Sequence, residues 1–177
     1  MFGMQKDRKV DLTNIVFLLA TPVIAFVGTA LLMYFKGIPL ATWLLGLFFM
    51  IATGLGVTAG YHRYFSHRTH DAAWIVRLMY LLFGGAAIEN SAIKWSADHR
   101  DHHQYCDTEK DPYNIKKGFW HAHILWIFYA ENPHRSTNNT KDLKQDKLAV
   151  WQDKYYVPIA IFMSFIVPAL IASLWGD

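Results

Sequence analysis

Residues 38–67 read IPLATWLLGLFFMIATGLGVTAGYHRYFSH, and the first part, from Ile38 to Tyr61, carries no charge. A run of that length exceeds the roughly 20 residues a helix needs to cross a bilayer. It leads directly into His62 and His67, a His-x-x-x-x-His box. An apolar span therefore delivers two imidazoles to a membrane surface, where neutral imidazole is a good ligand for iron, copper, zinc or nickel. On α-helical geometry His62 and His67 diverge by roughly 140°. They converge on one ion only if the helix ends or distorts there, or if the ion sits between them and a second helix.

Two more stretches match the first. Leu12 to Phe35 and Val157 to Trp175 are also free of charge, so the expected spans are 12–35, 38–61 and 157–175, with a tight Lys36-Gly37 turn after the first. The chain is 53% hydrophobic and 16% aromatic, above the roughly 45–50% apolar content of soluble domains. Leu78 to Ile88 and Phe119 to Ala130 are too short to span and read as interfacial or core-packed helices. Of 17 Lys and Arg, only Lys36 lies in the loop between the first two spans. The positive-inside rule then puts the N-terminus and the segment 62–156 in the cytoplasm. The expected fold is all-α and integral to the membrane: transmembrane helices with a cytoplasmic helical cap carrying the histidine boxes. The whole of 1–177 is read as one domain.

The rest of the pattern excludes several classes. Cys106 is the only cysteine, so no intrachain disulfide can form, as suits a reducing compartment. Gly54, Gly56 and Gly60 lie inside a span rather than after a strand, so they do not make a dinucleotide loop. Gly56 and Gly60, four apart, read as a close helix-packing stripe. The first apolar run is too long for a signal peptide. Lys141 to Trp151 reads as a short surface helix with alternating charges on a solvated face. No nucleic-acid partner is expected.

A second box follows in WSADHRDHHQY, residues 95–105, with His99, His102 and His103. On a helix His99 shares a face with both His102 and His103. His102 and His103 diverge by roughly 100° and can serve two different ions. Carboxylates surround the box: Asp98, Asp101, Asp107, Glu109 and Asp111. Such acids either orient metal-bound imidazoles or balance Arg100 and Lys110 on a solvated surface; Glu109 is assigned the second role. His70, His121, His123 and His134 are taken as surface or interfacial residues.

The combination resembles the membrane-bound fatty acid desaturases of the stearoyl-CoA type. The similarity runs through GLGVTAGYHR and FSHR, then Trp95, Asp98-His99-Arg100 and His102-His103, then Asp111-Pro112-Tyr113-Asn114, ending near Gly118-Phe119-Trp120 and His123. The resemblance implies insertion of a double bond, in most relatives at delta-9, into a saturated acyl chain by two iron ions, dioxygen and two electrons. It implies that His62, His67, His99 and His103 hold one iron and His102 the other. Asn90, Trp95 and Asp98 match positions lining the acyl thioester and its carrier. A methylene C–H is not acidic, so no side-chain base can remove it. The protein must instead place two methylenes beside the metals and exclude water.

The similarity departs from the family pattern in two places. The family carries a third histidine box beyond a further helix pair, so the chain is read as an N-terminal fragment, inactive alone. Animal relatives bind the coenzyme A phosphates with a basic pair near whose positions Ala130 and Glu131 stand here; Lys116 and Lys117 offer a basic pair in the preceding loop. Acyl-CoA is the expected substrate, with other acyl carriers as alternatives. The electron donor is expected to be a ferredoxin or cytochrome b5, and the surroundings a lipid bilayer. An alkane or sterol hydroxylase is the nearest rival. A non-enzymatic membrane metal-binding protein is the rival of another class, but the three spans hold no His, Asp or Glu to line a transport path.

Overall fold

The computed structural model describes residues 9–129 and 138–176. The architecture is helical, and the described residues form no β-sheet, only a single bridge between Val10 and Tyr129. Among the described residues, three helices are long and apolar enough to cross a membrane: α1 (Leu12–Phe35), α2 (Leu40–Ser66) and α7 (Tyr156–Trp175). Between the last two lie α3 (Trp74–Ala86), α4 (Ala92–Tyr105), α5 (Phe119–His123) and α6 (Lys147–Lys154). By proximity the chain forms two compact units, 1–38 with 101–136 and 39–100 with 137–177.

In the first unit, α1 starts where Asp11 accepts a hydrogen bond from the Asn14 N–H at 3.0 Å. An N-cap of this type satisfies a donor the first helical turn leaves orphaned. Asn14 Nδ2 then donates to Ile127 O at 2.9 Å and Asp11 N to Phe128 O at 2.8 Å, tying the helix start to the 3₁₀ turn Leu125–Phe128. None of the residues of α1 is buried. A helix apolar all round and uncovered by protein suits lipid contact.

The second unit is built where α2 meets α3. A Cβ on Gly60 would stand 2.6 Å from Tyr80 Cβ, and one on Gly56 would run into the backbone of Phe83 and Gly84. Only hydrogen at these two positions lets the helices approach so closely, which is the packing read from their spacing. In return, Tyr61 and Phe65 of α2 are buried against Leu81, Ala92, Ile93, Leu143 and Ala149. Burying one such aromatic ring contributes on the order of 1.5–3 kcal/mol. The Tyr61 hydroxyl accepts from Gln152 Nε2 at 2.6 Å, and Gln152 Oε1 accepts from Ala92 N at 3.0 Å. This network joins α2, α4 and α6 through groups that would be costly to bury unpaired. At the other end of the unit, Trp175 Nε1 of α7 donates to Thr42 Oγ1 of α2 at 2.9 Å.

Two expectations change. The second span does not stop at Tyr61: the helix continues to Ser66, and its last stretch, Gly56–Ser66, is π-helical. The expected surface helix 141–151 is instead two 3₁₀ turns, Asn138–Thr140 and Leu143–Gln145, followed by α6. The Asp146 side chain accepts from Leu148 N and Ala149 N and so fixes the helix start. The face is only partly solvated: Lys141, Lys144 and Lys147 are exposed, but Leu143, Ala149 and Gln152 are buried, and Asp142 and Asp146 pair with Arg100 of α4, Arg77 of α3 and Arg68 just beyond α2.

Candidate metal centre

The π-helical register decides how the first box is used. His67 N donates to His62 O at 3.1 Å, an i→i+5 bond. Closing the turn over five residues rather than four brings i and i+5 onto one face. The His62 and His67 rings consequently lie 4.6 Å apart, centroid to centroid. The helix both distorts here and ends at Ser66, with His67 as its C-cap. π-Bulges of this kind are frequent at functional sites.

Helix α4 brings the third imidazole. The His99 ring lies 4.6 Å from His62 and 5.0 Å from His67. The ligand nitrogens of His62, His67 and His99 all lie within 4.8 Å of one another, and His67 Nε2 is 2.9 Å from His99 Nε2. Two metal–nitrogen bonds of about 2.1 Å at a right angle separate their nitrogens by about 3.0 Å. The donor set therefore fits an imidazole-bound cation of the kind the sequence implies. On its outer side, the Trp95 indole is stacked on His99 at 4.9 Å and 25°, with its N–H donated to Glu89 Oε2 at 3.1 Å. His103 follows one turn beyond His99 on α4, at i+4.

In the first unit His102 has its own partner. Its Nδ1 is 2.8 Å from Asp111 Oδ1. Asp111 is 1% exposed and also accepts from Tyr113 N and Asp107 N, each at 2.9 Å. Burial works against the charge on Asp111, but the bonds from His102 and the two backbone N–H groups hold its carboxyl below the usual carboxylate range. An ionised carboxylate at Nδ1 puts the ring proton there and the lone pair on Nε2, the usual tautomer of a metal-bound histidine. Asp111 is thus placed to orient the His102 ring. Cys106 lies within 4.8 Å of both, at the exposed end of α4.

Asp111 was only one of four acids around the box left as candidates by the sequence. What selects it is the fold of the intervening loop, held by Asn114, whose Nδ2 donates to Thr108 O at 2.7 Å and whose Oδ1 accepts from Lys116 N at 2.9 Å. Glu109, by contrast, pairs with Lys117 at 3.2 Å. Arg100 is not balanced by the neighbouring acids. Its partner is Asp142, a residue no spacing rule singled out.

The remaining expected residues are distributed as follows. Asn90 sits in the turn before α4 at a φ of 87°, its N–H donated to the Tyr156 hydroxyl at 2.9 Å. Asp98 is half-buried on α4, and Lys116 is exposed in the turn Ile115–Lys117. His70 lies beside Thr69 and Tyr80, and His123 Nδ1 donates to Phe119 O at 2.8 Å. Ala130, Glu131 and His134 lie outside the described residues.

Comparison with known proteins gives the following. A family model described as fatty acid desaturase matches residues 38–177. The chain is 38% identical to a probable acyl-CoA desaturase of Schizosaccharomyces pombe, over 96% of this chain and 35% of the relative. It is 36% identical to stearoyl-CoA desaturase 4 of Mus musculus, over 93% of this chain and 47% of the relative. To the stearoyl-CoA desaturase of Homo sapiens it is 37% identical, over 77% of this chain and 39% of the relative. The chain therefore spans less than half the length of these relatives.

Proposed function

The chain belongs to the fatty acid desaturase family, and on that premise we propose that it takes part in inserting a double bond, at delta-9, into a saturated fatty acyl chain carried as the coenzyme A thioester. The observation that carries this reading is the meeting of His62, His67 and His99 at the end of a membrane-length helix. A pair of irons, when bound, supplies the oxygen activation needed to take hydrogen from an unactivated methylene. His62, His67, His99 and His103 hold one iron and His102 the other, all through neutral imidazole. The i, i+4 relation of His99 and His103 on α4 supports that division.

This chain's residues have several roles in the reaction. The π-helical turn and α4 fix the ligand nitrogens before any ion arrives. Asp111 keeps the His102 proton on Nδ1 so that Nε2 presents its lone pair. Trp95 stacks on one face of His99 and shields it from water, and Asn90 and Asp98 are assigned to the acyl thioester and its carrier by the family resemblance. Lys116, exposed, meets carrier phosphate as a point charge, whereas Lys117 is engaged by Glu109. Electrons come from a ferredoxin or cytochrome b5. The histidine boxes face the cytoplasm, an orientation that the lysine and arginine distribution supports.

The test is the fatty-acid profile, by gas chromatography and mass spectrometry, of cells expressing the full-length protein. A new monounsaturated acid that disappears in His62→Ala and His102→Ala supports the reading. A hydroxylated product in its place assigns the site to the hydroxylases instead.

A further inference from the structure

The helix that ends just before His67 and the helix that carries His99 meet at the Arg100 guanidinium. Arg100 Nε donates to Ser66 O at 3.0 Å and Nη2 to Phe65 O at 2.7 Å. Both carbonyls belong to the last turn of α2, where no further helical N–H can reach them. Nη2 also donates to Asp142 Oδ2 at 3.0 Å, and Nη1 to Asp142 Oδ1 at 2.7 Å and Asn139 O at 2.6 Å. An arginine side chain has five N–H groups. All five are used here, on three separate segments.

The arrangement brackets one ligand and adjoins another. Ser66 precedes His67, and Arg68, which follows it at a φ of 53°, is itself paired with Asp142. Arg100 is next to His99. Burial works against the charge on Asp142, but Arg100 and Arg68 hold its carboxyl well below the usual carboxylate range, so the acceptor stays ionised at neutral pH. Ser66 adds a lesser tie, with its hydroxyl 2.9 Å from that of Ser96 on α4.

We propose that Arg100, held by Asp142, is a positioning residue that sets the spacing of His67 and His99 and thereby the affinity of the site for its metal. The proposal rests on the reading of these histidines as ligands. Productive geometry at a metal site tolerates displacements of about 0.5 Å. The separation of 2.9 Å between the two Nε2 atoms depends on how the end of α2 is seated on α4. Lysine cannot replace the guanidinium, because an ammonium has three donors in a tetrahedral array and Arg100 meets five acceptors.

The experiment uses the full-length protein in detergent, stripped of metal and titrated with Co²⁺, followed by visible absorption and by the unfolding temperature with and without cobalt. Arg100→Lys is expected to bind Co²⁺ about 10–100-fold more weakly, the range for residues that orient ligands. Asp142→Asn, which leaves the guanidinium but removes its ionised acceptor, is expected to follow with a smaller loss. The stabilisation by cobalt must shrink in both variants, since it scales with the logarithm of ligand concentration over Kd. If both variants lower the unfolding temperature equally with and without cobalt, Arg100 only stabilises the fold and the proposal is overturned. His67→Ala is the control: unchanged cobalt affinity there removes the ligand reading itself, and the inference with it.

Discussion

Replacing Asp111 by Asn keeps the shape of the side chain and removes its charge, so it isolates what the carboxylate does for His102. Asp111 accepts three hydrogen bonds, from His102 Nδ1 at 2.8 Å and from Tyr113 N and Asp107 N at 2.9 Å each. An amide in the same place has one oxygen. If it faces His102 and Tyr113, its NH₂ group points at the Asp107 N–H, donor against donor, and a buried backbone donor loses its partner at a cost of about 1–3 kcal/mol. The bond to His102 also ceases to be charge-assisted, which roughly halves its strength. A loss of about 1.4–2.7 kcal/mol in metal binding corresponds to about 10–100-fold, the usual range for the partner of a metal-bound imidazole. The assay is Co²⁺ titration of the full-length protein, resolved into two binding events. The first event should be unchanged and the second weakened by that factor. If Asp111→Asn binds both ions as tightly as wild type, the orienting role of Asp111 is refuted.

Three further outcomes follow from the same geometry. Asp142→Asn should lower stability by a nearly constant amount between pH 5 and 8, as followed by thermal unfolding. The folded carboxyl titrates below its unfolded value of about 3.9, so its stabilisation is present above that pH and fades as pH falls through the folded pKa; the gap between variant and wild type should close below about pH 4. Gly60→Ala should cost about 1–3 kcal/mol by overpacking, read as a lowered unfolding temperature, because the new methyl group would stand 2.6 Å from Tyr80 Cβ. Tyr61→Phe should cost about 1–3 kcal/mol in the same measurement, since it strips the acceptor 2.6 Å from Gln152 Nε2 in a fully buried network.

Much of the protein was determined by its sequence alone, and the reason is that those features depend on local composition. An uncharged run from Leu12 to Phe35 spans a bilayer whatever surrounds it, because no other solvent suits it. The five histidines were legible as two boxes because His62 and His67, and His99 with His102 and His103, are close along the chain. The Gly56 and Gly60 spacing likewise marks a close helix crossing without reference to the partner helix.

Tertiary structure decided the rest, where the interaction depends on which segments meet. Local pattern left His62 and His67 about 140° apart on an α-helix. They converge because α2 adopts a π-helical register where α3 packs against Gly56 and Gly60. Asp111 became the partner of His102 through a loop folded by Asn114, not through helical spacing. The alternating charges of 141–151 resembled a solvated face, yet Asp142 meets Arg100 from 42 residues away and Asp146 meets Arg77 from 69. A charged side chain records its sign in the sequence; its partner is fixed only when the backbone carrying each of them has been folded into place.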